Sequence, residues 1–256
     1  MNALEITDLS VRYGRMRVVE SVSLAVPKGR TVGLVGESGS GKSTIAAAAV
    51  GLVRPESGSI RVDGVEAAGA GAAARRARRR MQLVFQDPFS ALDPLMPVGD
   101  SIAEALRAAG RRFTRAERVA RVRELLALVH LDPDRADERP AAFSGGQRQR
   151  ITIARALAGE PSVLIADEVT SALDVSVQGA ILNLLREVQQ ELGLSMLFIS
   201  HNLAVVRYIS DEVCVMRHGR LVESGPTEAL LADPADPYTR DLLEAVPVLG
   251  ERMRFG

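Results

Sequence analysis

Three short stretches of the chain hold residue types that could do chemistry. In "GESGSGKST" (36–44), Gly36, Gly41, Lys42 and Ser43 fall in the spacing G-x-x-x-x-G-K-[ST], after the apolar run "TVGLV" and at the start of the helix-like "KSTIAAAAVGL". Glycine lets such a loop turn sharply. The amides from Gly36 through Glu37, Ser38, Gly39, Ser40 and Gly41 to Thr44 can then be aimed at phosphate oxygens, with a helix dipole behind them. Lys42 supplies a compact ammonium for the β- and γ-phosphates, and the Ser43 hydroxyl is a ligand for Mg²⁺. In "VLIADE" (163–168), Asp167 and Glu168 end a second apolar run; one carboxylate can hold the Mg²⁺ shell and the next can polarise an attacking water. In "FSGGQRQR" (143–150), Ser144 is placed to cap a helix that opens on Gly145, Gly146 and Gln147 with bare amides. This is a second anion site in a chain that already has one.

The base of the nucleotide can be argued by exclusion. Guanine recognition in GTPases uses an Asn-Lys-x-Asp element, and the chain's two lysines follow Pro27 (Lys28) and Gly41 (Lys42), so no such element exists. ATP is the expected nucleotide. The remaining basic residues are arginines, which makes the position of Lys42 informative.

The elements that must position these residues follow from periodicity. "LEITDLSVRY", "VVESVSLAVP" and "GSIRVDG" alternate with period two between turn residues, as in an antiparallel sheet with one solvated face. "TVGLVG", "SVLIAD" and "SMLFIS" are continuous apolar runs, the pattern of parallel strands covered on both faces, and such sheets carry their chemistry at the strands' carboxyl ends. Residues 90–158 read as helical: "VGDSIAEALRAAG" and "RAERVARVRELLALVHL" carry apolar residues at three- and four-residue spacing with arginines opposite. "SVQGAILNLLREVQQELG" is a further helix with a C-cap at Gly193, "DEVCVMRHGRLVESG" a hairpin turning at His218-Gly219, and "PTEALLAD" and "DPYTRDLLEAVP" short helices.

Composition bounds the partners. Lys+Arg and Asp+Glu are equal at 32 each, which gives the whole molecule no electrostatic case for nucleic acid or an acidic membrane. The basic run "RRARRR" (75–80), with no interleaved aromatics, reads as a solvated helix face beside a strand rather than a nucleic-acid patch. The single cysteine, Cys214, excludes an internal disulfide and a cysteine-built metal cluster, and its apolar setting marks it as a core residue. The amino terminus lacks the pattern of a secretory signal, and the apolar runs are too short to span a bilayer. A cytosolic protein is expected, reaching a membrane only through partners.

Taken together, the motifs resemble the ATP-binding cassette (ABC) family. The resemblance covers nearly the whole chain and rests on their order: Tyr13 in "VRYG", the phosphate loop, Gln86 in "VFQDP", "FSGGQ", "VLIADE", "SALD" (171–174) and His201 in "ISHN". It implies an α/β fold with a RecA-like parallel-sheet core, an N-terminal antiparallel β-subdomain (the two together about 1–88 and 159–225), an inserted helical subdomain (about 89–158) and a C-terminal tail (about 226–256). It also implies roles. Tyr13 stacks on adenine, although an exposed strand aromatic is the other reading; Glu168 is the general base; His201 meets the γ-phosphate. Gln86 touches Mg²⁺ or water and relays occupancy to the helical lobe, and Asp174 lies at a dimer interface. The segment Ser144–Gln147 faces the γ-phosphate held by a second subunit packed head to tail. Phe143 stands for the family's usual leucine, Val169 for a proline after the catalytic carboxylate, and Asn202 for a common aspartate after the histidine.

Within the family, "VFQDPFSALDPLMPVGDSIAEAL", "TSALDVSVQGAILNLL" and "DPYTRDLLEAVP" are similar to the ATPases of bacterial dipeptide, oligopeptide and nickel importers. Their implied partners are integral-membrane permease subunits, a second ATPase subunit and, indirectly, an extracytoplasmic solute-binding protein, at the cytoplasmic face of the membrane. The alternative is a soluble cassette ATPase acting on ribosomes or nucleic acid, which usually carries two cassettes or a long coiled-coil insertion. A standalone phosphate-loop kinase leaves "SGGQ" and "SALD" unexplained.

Overall fold

Two sheets face each other across a shared apolar layer, and the second of them carries the chemistry at one edge. The computed structural model describes residues 1–85, 87, 91–110, 112–171 and 173–244. The alternating segments near the start pair as their pattern predicts: β1 (Asn2–Tyr13) runs antiparallel to β2 (Met16–Pro27). The continuous apolar run becomes β3 (Thr31–Val35), buried throughout, and the phosphate-loop motif leads into α1 (Lys42–Ala49). β4 (Ser57–Val62) and β5 (Val65–Glu66) complete a four-stranded sheet of order β2-β1-β4-β5.

The arginine run forms α2 (Ala72–Arg79), lying before a strand, β6 (Met81–Val84), that the period analysis did not separate from its surroundings. At four residues, with Gln82 and Leu83 only half-buried, β6 is too short and mixed to announce itself. The arginines are engaged by their own chain: Arg75 donates to the carbonyl of Ala70, Arg78 to those of Ala67 and Gly69, and Arg80 pairs with Asp63 at 2.9 Å.

The helical segment holds α3 (Val98–Ala105), α4 (Arg115–Leu128) and α5 (Gly145–Ala158). Val98, Ile102 and Leu106, four apart, bury one stripe in a cluster with Leu125, Leu126 and Ile151 from the other two helices. Thr114 and Glu117 form a reciprocal capping box at the start of α4, as Ser144 and Gln147 do at α5.

The chain then returns to the second sheet through β7 (Val163–Asp167), α6 (Val175–Leu192), β8 (Ser195–Ser200), α7 (Leu203–Ile209), β9 (Glu212–Arg217) and β10 (Arg220–Pro226), and ends in α8 (Thr227–Ala232) and α9 (Pro237–Glu244). The sheet order is β10-β9-β3-β8-β7-β6, parallel from β9 to β6 with β10 antiparallel at the edge. Both faces are covered, and the strands divide their side chains between two cores. Met196 and Phe198 of β8 join the helical side, while Leu197 and Ile199 join the layer shared with the first sheet and α1. The adjacency β3-β8-β7 matters most, because it brings the ends of three strands together: Val35 pairs with Ser200, and Asp167 with Ile199. Among the described residues no helix is long and apolar enough to cross a membrane.

Candidate functional site

At that edge the loop 36–41 wraps over the start of α1. Gly41, the residue before the helix, has φ 106°, a left-handed value that favours glycine, and a Cβ there would sit 2.8 Å from the Val18 carbonyl. Among the described residues the amides of Gly39 and of Gly41 through Thr44 have no acceptor, so five donors line a cavity of about 220 Å³ together with Ser38, Val18 and Glu168. This is a cradle for an anion at a helix N-terminus. Glu37 and Ser40 are occupied differently. The Ser40 amide donates to the Glu37 carbonyl at 3.2 Å, and the Glu37 amide donates to the Tyr238 hydroxyl at 3.0 Å.

Lys42 is 4% exposed and its ammonium is parked on the loop itself, 2.8 Å from the carbonyls of both Gly36 and Glu37 and 3.3 Å from Ser40 Oγ. Burial holds its pKa below the usual lysine value, against the pull of Glu168, Asp167 and Glu37. An incoming polyphosphate supplies the charge this buried ammonium lacks.

Two oxygen donors stand beside it. Ser43 Oγ donates to Asp167 Oδ1 at 3.1 Å, and burial raises the Asp167 carboxyl above the ordinary range while the Ser43 hydroxyl lowers it. A desolvated carboxylate next to a hydroxyl suits a small, hard cation that keeps most of its shell for water and phosphate; among the described residues no group of three or more His, Cys, Asp or Glu forms a cage. The pair fits Mg²⁺ in that mode.

Glu168, the residue after β7, has φ 49°, which costs a non-glycine residue about 1–2 kcal/mol. Three hydrogen bonds offset that cost at about 0.5–1.5 kcal/mol each. Its amide donates to the Ile199 carbonyl at 3.0 Å, and its own carbonyl accepts from the Ser171 amide at 3.1 Å and from Ser171 Oγ at 2.9 Å. The turn is thus fixed without the proline that Val169 replaces; Val169 is instead buried in the core. The Glu168 carboxylate meets His201 Nδ1 at 3.2 Å, with the histidine side chain 56% exposed at the mouth of the site. Asn202 also gains a role that sequence reading left open. It caps α7, accepting from the amides of Ala204 and Val205 at 3.0 and 3.4 Å.

The second glycine pair stands apart from this constellation. Ser144 Oγ accepts from the Gln147 amide at 3.3 Å and Gln147 Oε1 accepts from the Ser144 amide at 3.0 Å, which leaves the amides of Gly145 and Gly146 without an acceptor among the described residues. No hydrogen bond or ion pair among the described residues joins this helix start to Lys42, Asp167, Glu168 or His201. The two glycines differ. A Cβ on Gly146 would lie 2.5 Å from Val177 Cγ1 of α6, so that position is fixed by packing inside the chain; a Cβ on Gly145 would meet only Leu173, at 3.9 Å. Phe143 before them is buried, with the Arg135 guanidinium 4.1 Å over its ring. Tyr13 is exposed at the end of β1, and Asp174 is exposed at the start of α6 without capping it. Gln86 and Ala172 lie outside the described residues. Sequence reasoning gave no site role to Tyr238, whose partner is 201 positions away.

Comparison with known proteins points one way. The family model described as ABC transporter matches residues 19–171. A Brucella abortus protein assigned by name to peptide import as an ATP-binding protein is 54% identical over 234 residues, covering 91% of this chain and 70% of its own length. A Brucella ovis protein named in the same way is 51% identical over 237 residues, covering 92% and 74%. Among solved structures, cbiO1 from Clostridium perfringens, part of the ABC transporter complex cbiONQ, superposes with a TM-score of 0.82 at 28% identity, covering 91% of each chain. A dimeric ATP-binding cassette in a post-hydrolysis state, bound to ADP and Pi, gives 0.76 at 26% identity over 88% of this chain and 98% of its own.

Proposed function

The chain belongs to the ABC transporter family and is an ATPase, and from that premise we propose that it is the motor subunit of a membrane peptide importer. It works at the cytoplasmic face as one of two cassettes beneath integral-membrane permease subunits, which an extracytoplasmic binding protein supplies with solute. The observation that carries this reading is the split site. Lys42, Ser43, Asp167, Glu168 and His201 converge at one sheet edge, while the bare amides of Gly145 and Gly146 find no partner within the described chain. A second copy packed head to tail would bring those amides to the γ-phosphate. The dimeric cassette among the structural neighbours supports pairing of two copies.

In the mechanism, the polyphosphate displaces the loop carbonyls as partners of Lys42, and the amides of Gly39 and Gly41–Thr44 take its oxygens. Ser43 and Asp167 would hold Mg²⁺, which when bound neutralises charge on the phosphates. Glu168 takes a proton from the water that attacks the γ-phosphorus as the bond to the bridging oxygen breaks. His201, hydrogen-bonded to Glu168, orients that carboxylate and the phosphoryl group. Tyr13 stacks on the adenine, Gln86 senses the bound nucleotide, and Asp174 lies between the cassettes. Loss of the γ-phosphate removes the ligand that both subunits share, and the pair opens.

For permease docking, a groove of about 730 Å³ runs between β6 and the helical segment, lined by Leu83, Phe85, Ala91, Glu104, Arg107 and Arg155. Phe85, 48% exposed, precedes Gln86. A short permease helix seated there would touch the segment that senses the nucleotide. The relatives' names favour import over a ribosome- or nucleic-acid-directed cassette. The test is detergent extraction of cells expressing a tagged chain. Recovery with integral-membrane subunits whose peptide-loaded binding protein stimulates ATP hydrolysis supports the proposal. Recovery with ribosomes or nucleic acid, free of membrane proteins, overturns it.

A further inference from the structure

The phosphate loop is held from outside by the last described helix. The Gly36–Glu37 peptide, where the chain leaves β3, is gripped at both ends: its carbonyl accepts from Lys42 Nζ at 2.8 Å and its N–H donates to the Tyr238 hydroxyl at 3.0 Å. Lysine, peptide and phenol therefore form one continuous chain of hydrogen bonds, in which each bond polarises the next. Tyr238 is 3% exposed, with the Arg217 guanidinium 4.7 Å over its ring. A buried tyrosine that needed only packing would be served equally by phenylalanine; here the hydroxyl lands on a backbone amide of the nucleotide loop.

The support of Tyr238 is itself built. Its own amide donates to Asp236 Oδ1 at 2.8 Å, and the turn before it is clamped by Glu223 of β10, whose two carboxylate oxygens accept from the amides of Ala235 at 2.8 Å and Asp236 at 3.2 Å. Arg240 closes the turn by donating to the Pro234 carbonyl at 2.9 Å. β10 is the antiparallel edge strand of the same sheet that carries the phosphate loop, so the strap and the loop share one rigid base.

We propose that Tyr238 is a positioning residue for Lys42, acting through the Gly36–Glu37 peptide, and that Glu223 with the 234–236 turn is the strap that sets it. Removing the hydroxyl frees the peptide to rotate and removes a fixed resting place for the ammonium. Lys42 meets the phosphates in substrate and transition state alike, so the loss falls on nucleotide binding and leaves turnover largely intact. The inference rests on the ATPase reading above.

The test compares the full chain with Tyr238→Phe, which keeps the ring, and Glu223→Gln, which keeps the phenol and loosens the strap. Three quantities are read: KM and kcat for ATP, hydrogen exchange of the segment 34–43 without nucleotide, and the nucleotide-free melting temperature. The expected result for Tyr238→Phe is a KM raised about 3–10-fold, the factor one ordinary hydrogen bond carries. With it go a kcat within twofold of wild type, faster exchange confined to 34–43 and a melting temperature lowered by no more than about 6 °C, the cost of one hydrogen bond. Glu223→Gln gives a smaller change of the same kind. A KM within twofold of wild type with unchanged exchange in 34–43 overturns the proposal. If Tyr238→Phe instead melts early with exchange rising throughout the core, Glu223→Gln decides: normal KM and normal exchange in that variant overturn it too. A wild-type chain that does not bind ATP would sink the ATPase reading, while the exchange comparison would still report on Tyr238.

Discussion

Glu168 sits at a left-handed backbone angle, bound through its main chain on both sides and through its side chain to His201. Strain of that kind persists where the surroundings over-determine a residue's position, and here it aims a carboxylate into the mouth of an anion cradle. Replacing it with glutamine keeps the shape and removes the base. Glu168→Gln should still bind ATP but lose turnover by about 100-fold or more, the range that general-base catalysis supplies. Phosphate release and nucleotide binding measured on the same preparation check this, and hydrolysis at the normal rate would remove Glu168 from the role. Cys214 makes the opposite kind of prediction. Burial, with a smaller push from Glu212, raises its thiol to about 12, so below that pH it stays protonated and inert. Alkylation at pH 8 should fail on the folded chain and succeed in denaturant. Residue types in fixed spacing made Lys42, Ser43, Asp167 and Glu168 legible from sequence, because a phosphate loop and a strand-end carboxylate each need a specific local context. Asn202 and Ser171 were not legible in their actual roles, since an ordinary cap and an ordinary turn bond leave no distinctive spacing.

At the scale of elements, the two glycines at the start of α5 separate packing from chemistry. Gly146 faces Val177 across the contact between α5 and α6, and Gly145 faces open space apart from Leu173. Gly146→Ala overpacks that contact, at about 1–3 kcal/mol, which in a chain of this size lowers the melting temperature by roughly 2–12 °C. Gly145→Ala should melt within about 2 °C of wild type, yet lose ATPase activity if its Cβ, which meets only Leu173 within its own chain, stands where a neighbour's phosphate must close on the amide. Calorimetry paired with an activity assay distinguishes the two. A Gly145→Ala chain that is stable and fully active would show that no phosphate closes tightly on that surface. The strands followed their periodicity where they were long or wholly apolar, as β1, β3 and β8 show. β6 escaped because four residues give period two no room to repeat. The link from α9 to the phosphate loop escaped for a different reason: nothing in "DPYTR" states that its tyrosine will meet an amide 201 positions earlier, and only the return of β10 to the sheet edge brings them together.

For the whole molecule, the two candidate anion sites are the organising feature. One lies at the junction of β3, β8 and β7 and is furnished with lysine, hydroxyl and carboxylates; the other, at the head of α5, has bare amides and no catalytic group bonded to it among the described residues. In the proposed pairing, two copies placed head to tail use both sites twice. This division was legible from the order of the motifs, whereas the groove beside β6 emerged only with the packing of the helices on the sheet. The most direct test mixes two crippled chains, Lys42→Ala, which cannot hold the phosphates, and Ser144→Arg, which blocks the head of α5. Each alone should hydrolyse ATP at a small fraction of the wild-type rate. Mixed in equal amounts, they pair to form one site with an intact loop from one chain and an intact Ser144 from the other, and hydrolysis should return to a substantial fraction of wild type. A Ser144→Arg chain that turned over ATP at full rate alone, or a mixture as silent as its parts, would contradict a nucleotide site shared between subunits.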